Sequence, residues 1–401
     1  MDTPRETVVA AVNRLTARWL HQQRDGAPAV LTGLGVWPLL VALQQGATGK
    51  GAAALAAVTA AAGDHLVPAL REFHAILKES PSLHAALGVW AGHRLRLNPD
   101  WVAALPRGTT GRLSGDTTAD RELLDAWASE HTGGLVRQFP VAVEEEADLV
   151  MASALGVRAR WREPFRAEPQ SFLAGPWSGN RTWQGLTRSG SDLSPLRVWD
   201  TAVTTLRVAG ADDTDVVLVM GEEGRSPADV LLDGMDTLEA SSGFTTAADL
   251  PVGRVAPGVE VRMVPSAQPD PEPVLRVTTV AFDVAADHDL LADASLFGLE
   301  STLNANTSPL TAVTVADDPP VVVSKAAQRA VARFSAVGFE AAAVTATAMV
   351  ARAGIPVADR GMRRVVWAVF NRPFGYLAVH RPTGLVAVAG WVSEPAHWPD
   401  D

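Results

Sequence analysis

The sequence predicts an α+β protein built as one interlocked unit. Apolar residues recur at helical spacing through much of residues 5–135. From about 145 to 395 short apolar runs broken by Gly, Pro and Asp take over, the mark of strands joined by turns. No internal repeat divides the 401 residues. Helices first and strands afterwards, without alternation, argue for a helical part packed on sheets, and the whole of 1–401 reads as a single domain.

Val8, Val9, Val12, Leu15, Trp19 and Leu20 share one helical face. Leu34–Leu43, with Pro38 near its first turn, reads as a buried second helix. Ala52–Ala62 and Leu66–Leu77 read as two more, so the first 100 residues are expected to be mostly helical. Pro106–Thr118 is a Gly, Thr and Ser-rich connector. Residues 121–131 return to helix, and Asp148–Val157 reads as a buried strand. Residues 197–283 read as β meanders, with Val216–Met220 the clearest strand. Ala286–Leu299 is expected to be helical, and the last third to return to strands.

Composition narrows the function. The chain is 47% hydrophobic and 20% charged, ordinary for a globular protein. Its net charge of −11 argues against nucleic acid or an anionic membrane as partner, and against a polyanionic activator. It contains no Cys, so thiolate and disulfide chemistry are excluded. Residues 1–6 are polar, without the apolar core of a signal peptide. The expectation is therefore a cytoplasmic protein, with an extracellular location as the alternative. Asn180-Arg181-Thr182 and Asn306-Thr307-Ser308 match a glycosylation pattern and are read as chance.

Enzyme motifs fail on inspection. Gly46–Gly51 suggests a phosphate loop, but Gln44 and Gly51 stand where a Gly and a Ser or Thr are required. There is no Gly-x-Ser-x-Gly and no His-Glu-x-x-His, and the nine His are scattered. His131 and His288 read as surface or capping residues. No catalytic residue, metal site or cofactor is expected.

The segment Gly338–Thr347 is the most informative piece. Ala341, Ala342 and Ala343 follow Phe339 and Glu340, then come Val344 and Thr345, with no Pro before Pro356. Propensity allows helix or strand. Four blocks around it carry a resemblance. The first is Gly35-Val36-Trp37-Pro38 through Gly49, and the second is Trp127–Val136, a helix ending at a Gly pair. The third is Leu149–Ser153 through Trp161-Arg162-Glu163-Pro164-Phe165. The fourth runs from Lys325 to Pro395, with Phe370–Phe374, Arg381–Gly384 and Val388–Val392. In this order they resemble the serpin family of serine protease inhibitors, and a bacterial member is the expectation.

The resemblance implies a serpin fold: helices packed on a large central sheet with further sheets, and an exposed reactive loop at about 338–364. It implies a single-use trap and not an enzyme. A serine protease cleaves the loop, forms an acyl-enzyme, and is dragged away as the loop's N-terminal side inserts into the central sheet. It places the hinge at Gly338–Thr345 and the sheet-opening region at Trp161, Ser153 and Gln328. Trp37 and Ser153 stand where the family has Ser and Asn. Small side chains without Pro suit a strand that must slide between two others. After insertion Phe339, Ala341, Ala343, Thr345 and Thr347 would face one side, and Glu340 and Val344 the other.

The family's spacing puts the reactive bond at Arg352–Ala353, fourteen positions after Gly338. An Arg there suits a trypsin-like protease. Arg360, Arg363 and Arg364 are rivals, because the segment before Phe370 is longer than usual. Two departures bear on inhibition: Phe339 replaces a small polar residue, which would slow insertion, and Ala336 replaces a Glu. The alternative is therefore a non-inhibitory binding or storage protein of the same fold. A monomer is expected.

Overall fold

The computed structural model describes residues 3–23, 30–131, 134, 137–139, 144–200, 202–315, 318, 321–339 and 361–399. In chain order the helices are α1 (Pro4–Gln22), α2 (Gly33–Gly46), α3 (Gly49–Thr59), α4 (Leu66–Glu79), α5 (Pro99–Ala104), α6 (Thr117–His131), α7 (Pro227–Asp236) and α8 (Ala294–Phe297). The first strands are β1 (Leu83–Ala91), β2 (Thr110–Arg112), β3 (Leu149–Val157), β4 (Ala159–Arg160), β5 (Arg166–Gln170), β6 (Trp183–Gly190), β7 (Leu196–Trp199), β8 (Thr204–Val208) and β9 (Thr214–Met220). After α7 come β10 (Phe244–Thr246), β11 (Gly253–Ala256), β12 (Val259–Ser266), β13 (Val274–Val280), β14 (Phe282–Asp289), β15 (Val323–Phe334) and β16 (Gly338–Phe339). The last three are β17 (Gly361–Val369), β18 (Phe374–His380) and β19 (Leu385–Val392).

Three sheets result. The large sheet contains β2, β1, β3, β15 and β14 side by side, with β4 and β16 at one end. The second runs β10-β7-β8-β9-β18-β19, and the third β11-β12-β17-β13-β6-β5. Helix α1 starts at a capping box between Thr3 and Glu6. Helix α2 is buried on all sides, consistent with its apolar sequence, and packs against β1, β3 and β19. Its Trp37, where a Ser was expected from the resemblance, is buried and donates from Nε1 to Thr59 O at 2.9 Å. A large ring thus satisfies its one polar atom inside the core.

The first 100 residues are mostly helical, as expected, and also include the nine-residue strand β1, which is held by β3 along its whole length. Three expectations are corrected. The meander region 197–283 contains a helix, α7, started by Ser226 and Pro227. The helix expected at Ala286–Leu299 is mostly not formed. Residues up to Asp289 pair with β15 as strand β14, and only Ala294–Phe297 turn into helix. The expected loop span 338–364 is also shorter, since Gly338–Phe339 and Gly361–Arg364 are strand.

Leu40, fully buried in α2, anchors the helix beneath the sheets. Leu40→Ala is expected to cost about 2–5 kcal/mol, read as a lower midpoint in heat or denaturant unfolding.

Candidate functional site: a seam in the large sheet

Strands β3 and β15 are neighbours and run parallel, pairing from Leu149–Val323 to Leu155–Ala330. Beyond that pairing the seam is occupied. The chain turns at Ser335–Gly338, and β16 lies antiparallel to both β15, through Phe334–Phe339, and β4, through Ala159–Phe339. A two-residue strand therefore already sits in the upper end of the seam.

The turn is held on several sides. Ser335 N donates to Gly338 O at 2.9 Å, and the Ser335 hydroxyl lies 3.0 Å from the same oxygen. Trp161 donates twice, from its backbone to Val337 O and from Nε1 to Ser335 O, both at 2.9 Å. Phe165 N donates to Ala336 O at 2.8 Å. The Trp161 ring lies 4.8 Å from Phe334, which stacks on Phe282 at 5.3 Å. Gly338 is required here, because a Cβ would press on the Ala159 carbonyl. Phe339 is 1% exposed and lies 6.0 Å from Tyr376. Its bulk is therefore already inside the protein in this conformation. Ala336, where a Glu was expected, is buried.

Halfway down the seam Ser153 and Gln328 face each other in register, both buried. Gln328 Nε2 donates to Thr32 O at 3.0 Å and lies 3.4 Å from Ser153 Oγ. Thr32 caps α2 through Leu34 N, and Gly35 in the first turn of that helix leaves the space the two side chains fill. Gln328 Oε1 is buried and has no hydrogen-bond partner among the described residues. An orphaned buried acceptor costs about 1–3 kcal/mol. At the lower end Asp148 N donates to Ser324 Oγ at 2.9 Å, and Lys325 pairs with Glu144 at 3.1 Å.

The structure thus brings Trp161, Ser153, Gln328, Gly338 and Phe339 onto one seam. Glu340, Ala341, Ala342, Ala343, Val344, Thr345, Arg352 and Ala353 lie outside the described residues. Of the rival reactive residues, Arg360 also lies outside, whereas Arg363 and Arg364 are within β17. Arg363 bonds Gln268 Oε1 at 3.0 Å, and Arg364 bonds the Leu250 and Ala247 carbonyls. Both side chains are thus tied to the third sheet.

A cleft of about 380 Å³ next to the seam is lined by Arg162, Arg188 and Arg207, but also by Glu163 and Asp192, which offset their charge. Among the described residues no group of three or more His, Asp or Glu could hold a metal ion.

Sequence reasoning missed His288 as part of this region. It lies on β14 opposite Gln328, contacts Trp19 edge-on at 4.7 Å, and its Nε2 is 2.8 Å from Val30 O. Burial lowers its pKa below the usual 6.5, against smaller raising effects from the Val30 carbonyl, Asp287 and Asp293.

No protein-family model matches the chain. Glia-derived nexin of Mus musculus is 21% identical over 290 residues, 70% of this chain and 64% of that protein, so the match spans less than two thirds of that relative. A protein of Oryza sativa subsp. japonica, provisionally named serpin-Z6C, is 24% identical over 335 residues, 79% of this chain and 75% of its own. Among solved structures, native protease nexin-1 with heparin aligns at TM-score 0.71 and 15% identity, covering 98% of this chain and 99% of the other. The thermophilic serpin tengpin in its native state aligns at 0.72 and 13%, covering 98% and 95%. Serpin48 of the insect Tenebrio molitor aligns at 0.70 and 16%, covering 96% and 98%. The fold is the serpin fold, with its helices and three sheets, and the names of the relatives support the serpin family.

Because His288 is depressed when folded, the unfolded chain binds more protons between the folded pKa and 6.5. Stability is expected to be full above pH 6.5 and to fall as pH drops through that window. His288→Gln should flatten the fall, measured as the thermal midpoint at a series of pH values. His74 and His380, depressed by burial in the same direction, would leave a residual slope.

Proposed function

We propose that the protein inhibits serine proteases by inserting its cleaved loop into the large sheet, and that it is not itself an enzyme. The observation that carries this reading is the seam: two parallel strands with the first residues of a third already antiparallel between their upper ends. Extension of β16 would replace one parallel ladder by two antiparallel ones. Antiparallel pairing is slightly the stronger per residue. About a dozen added bonds at roughly 1 kcal/mol each match the entire stability of a typical domain, about 5–15 kcal/mol. The uninserted form is then held by kinetics.

The register of β16 on β4 can be continued. Phe339 opposes Ala159, so Ala341 would oppose Val157, Ala343 Leu155, Thr345 Ser153 and Thr347 Met151. Thr345 shares the face of Phe339, which points into the core. Its hydroxyl would arrive between Ser153 and Gln328 and could donate to the orphaned Gln328 Oε1. Insertion then removes a buried defect of the uninserted form as well as adding ladder bonds.

The target is a serine protease, with trypsin-like specificity set by Arg352 and the reactive bond at Arg352–Ala353; the inhibitor acts as a monomer. The heparin beside protease nexin-1 belongs to that protein; for this chain, net charge −11 favours action without a polyanion.

Cutting the loop should raise the unfolding temperature of the protein. An unchanged temperature would favour the non-inhibitory reading. Ala343→Pro, which cannot donate to the new ladder, should leave cleavage intact but restore protease activity at the end of the reaction. Arg352→Ala should abolish inhibition of trypsin-like enzymes while leaving the heat stability of the uncut protein unchanged. Thr345→Val should reduce the gain in heat stability on cutting; an equal gain would contradict the pairing with Gln328.

A further inference from the structure

The cleft beside the seam is one of two that share a wall. The first, about 380 Å³, reaches Arg188, Leu275 and Val277 of the third sheet. The second, about 420 Å³, reaches Arg197, Trp199 and Val217 of the second sheet and Leu238 just after α7. Arg162, Asp192, Pro195, Arg207 and Ala209 line both. The backbone makes this junction. Alternation buries Ala159 and Trp161 and turns Arg160 and Arg162 outward. Arg162 N then donates to Ala209 O at 2.9 Å, two residues beyond Arg207.

The positive groups here are incompletely matched. Four guanidinium groups, from Arg162, Arg188, Arg197 and Arg207, meet two carboxylates, Glu163 and Asp192, on a chain of net charge −11. Asp215 lies behind Arg207, but it is held by Arg381 at 2.5 Å and by Gly210 N at 3.0 Å, and meets Arg207 only at 3.4 Å. Arg207 is 48% exposed and is the weaker of its two cationic partners. Arg188 is 14% exposed, lies 4.7 Å from the Phe165 ring and donates to the Glu163 carbonyl at 2.9 Å. The Glu163 carboxylate stands 4.0 Å off and is 70% exposed. Burial lowers the Arg188 pKa, against smaller raising effects from Glu163 and Asp192, so this cation is drawn out of water without a close counter-ion. Asp192 is committed to its own turn, accepting from Ser194 N at 2.9 Å. Arg197 lies over the Phe244 ring at 4.2 Å. Among the described residues neither Arg162 nor Arg197 has an ion pair.

We propose that the two clefts form one site for a small molecule carrying a phosphate group on an aromatic ring. The phosphate takes the junction, between Arg162, Arg207 and Arg188, because guanidinium forks pair bidentately with phosphate oxygens. The ring takes the second cleft, along Trp199, Leu238 and Arg197. Charge and size select this class. A carboxylate brings one negative charge to a wall with an excess of two positive ones, whereas a phosphate monoester carries about −1.5 to −2 at pH 7. A bare phosphate leaves most of the space empty, and each cleft alone falls in the range of ligand sites, about 300–1,000 Å³. Arg162 follows β4 of the large sheet, Arg188 is on β6 of the third and Arg207 on β8 of the second. An occupant therefore ties all three sheets together and stabilises the folded protein by mass action. The site does not depend on the insertion reading.

Phenyl phosphate and inorganic phosphate are titrated calorimetrically into the full chain at constant ionic strength, with the thermal midpoint followed alongside. Phenyl phosphate should bind at one site, more tightly than inorganic phosphate, and raise the midpoint; phenol should do neither. Arg162→Gln together with Arg207→Gln should weaken phenyl phosphate binding at least about tenfold, the effect of losing one charge-assisted hydrogen bond. Glu163→Gln removes an exposed carboxylate from the rim and should tighten binding. Arg254→Gln, which removes an exposed charge outside both clefts, should bind as the unaltered protein does. Failure of phenyl phosphate to bind the unaltered protein, or equal binding by the double variant, would overturn the site. Inorganic phosphate binding as tightly as phenyl phosphate would overturn the place given to the ring. Should the double variant not fold, Glu163→Gln decides: binding no tighter than that of the unaltered protein would count against the site.

Discussion

The direct pairing of β3 with β15 is the constraint on which the rest depends. Strand addition to a sheet normally uses an exposed edge. Here the place to be filled is interior and closed, and opening it means giving up a parallel ladder before two antiparallel ladders form. On the proposed insertion, that order of events would supply a barrier. The seam is closed below by register pairing and by Asp148–Ser324. Above, it is held apart by Gly338 and Phe339, so the nucleus of the third strand exists before any opening.

On that reading, two features would tune the barrier. The aromatic group of Trp161, Phe165, Phe282 and Phe334 fixes the turn from which the new strand would grow, and the Trp161 hydrogen bonds prevent it from drifting. Lower down, Ser153 and Gln328 meet over Gly35 with one acceptor unmet. A methyl group on Gly35 would collide with both side chains, so helix α2 sets how closely the seam can shut. The proposed barrier would thus be a matter of side chains under the sheet as much as of the ladder within it. In the third sheet, β17 is held by β12 on one side and β13 on the other.

Much of this was legible in the sequence, and the gaps have physical causes. Helices α1 and α2 follow from apolar spacing and caps, and β3 and β9 from continuous apolar runs. Trp161 and Gln328 were singled out by the resemblance, and both lie on the seam. Strand β1 was missed because Leu, Ala and Gly carry no period-2 pattern when both faces are covered. Residues 286–289 looked helical because Ala and Asp lack strand propensity, yet β15 imposes the strand. The seated Phe339 could not be read at all: its partner Ala159 lies 180 residues away, and a bulky residue in a hinge looks like an obstacle until its cavity is seen.

The most direct test of the central claim is incubation with trypsin at near-equal molar ratio, followed by denaturing gel electrophoresis and mass spectrometry. The account predicts a band at the summed mass of the two proteins that survives boiling, together with a released C-terminal peptide beginning at Ala353. Complete cleavage with fully active trypsin and no such band would contradict it.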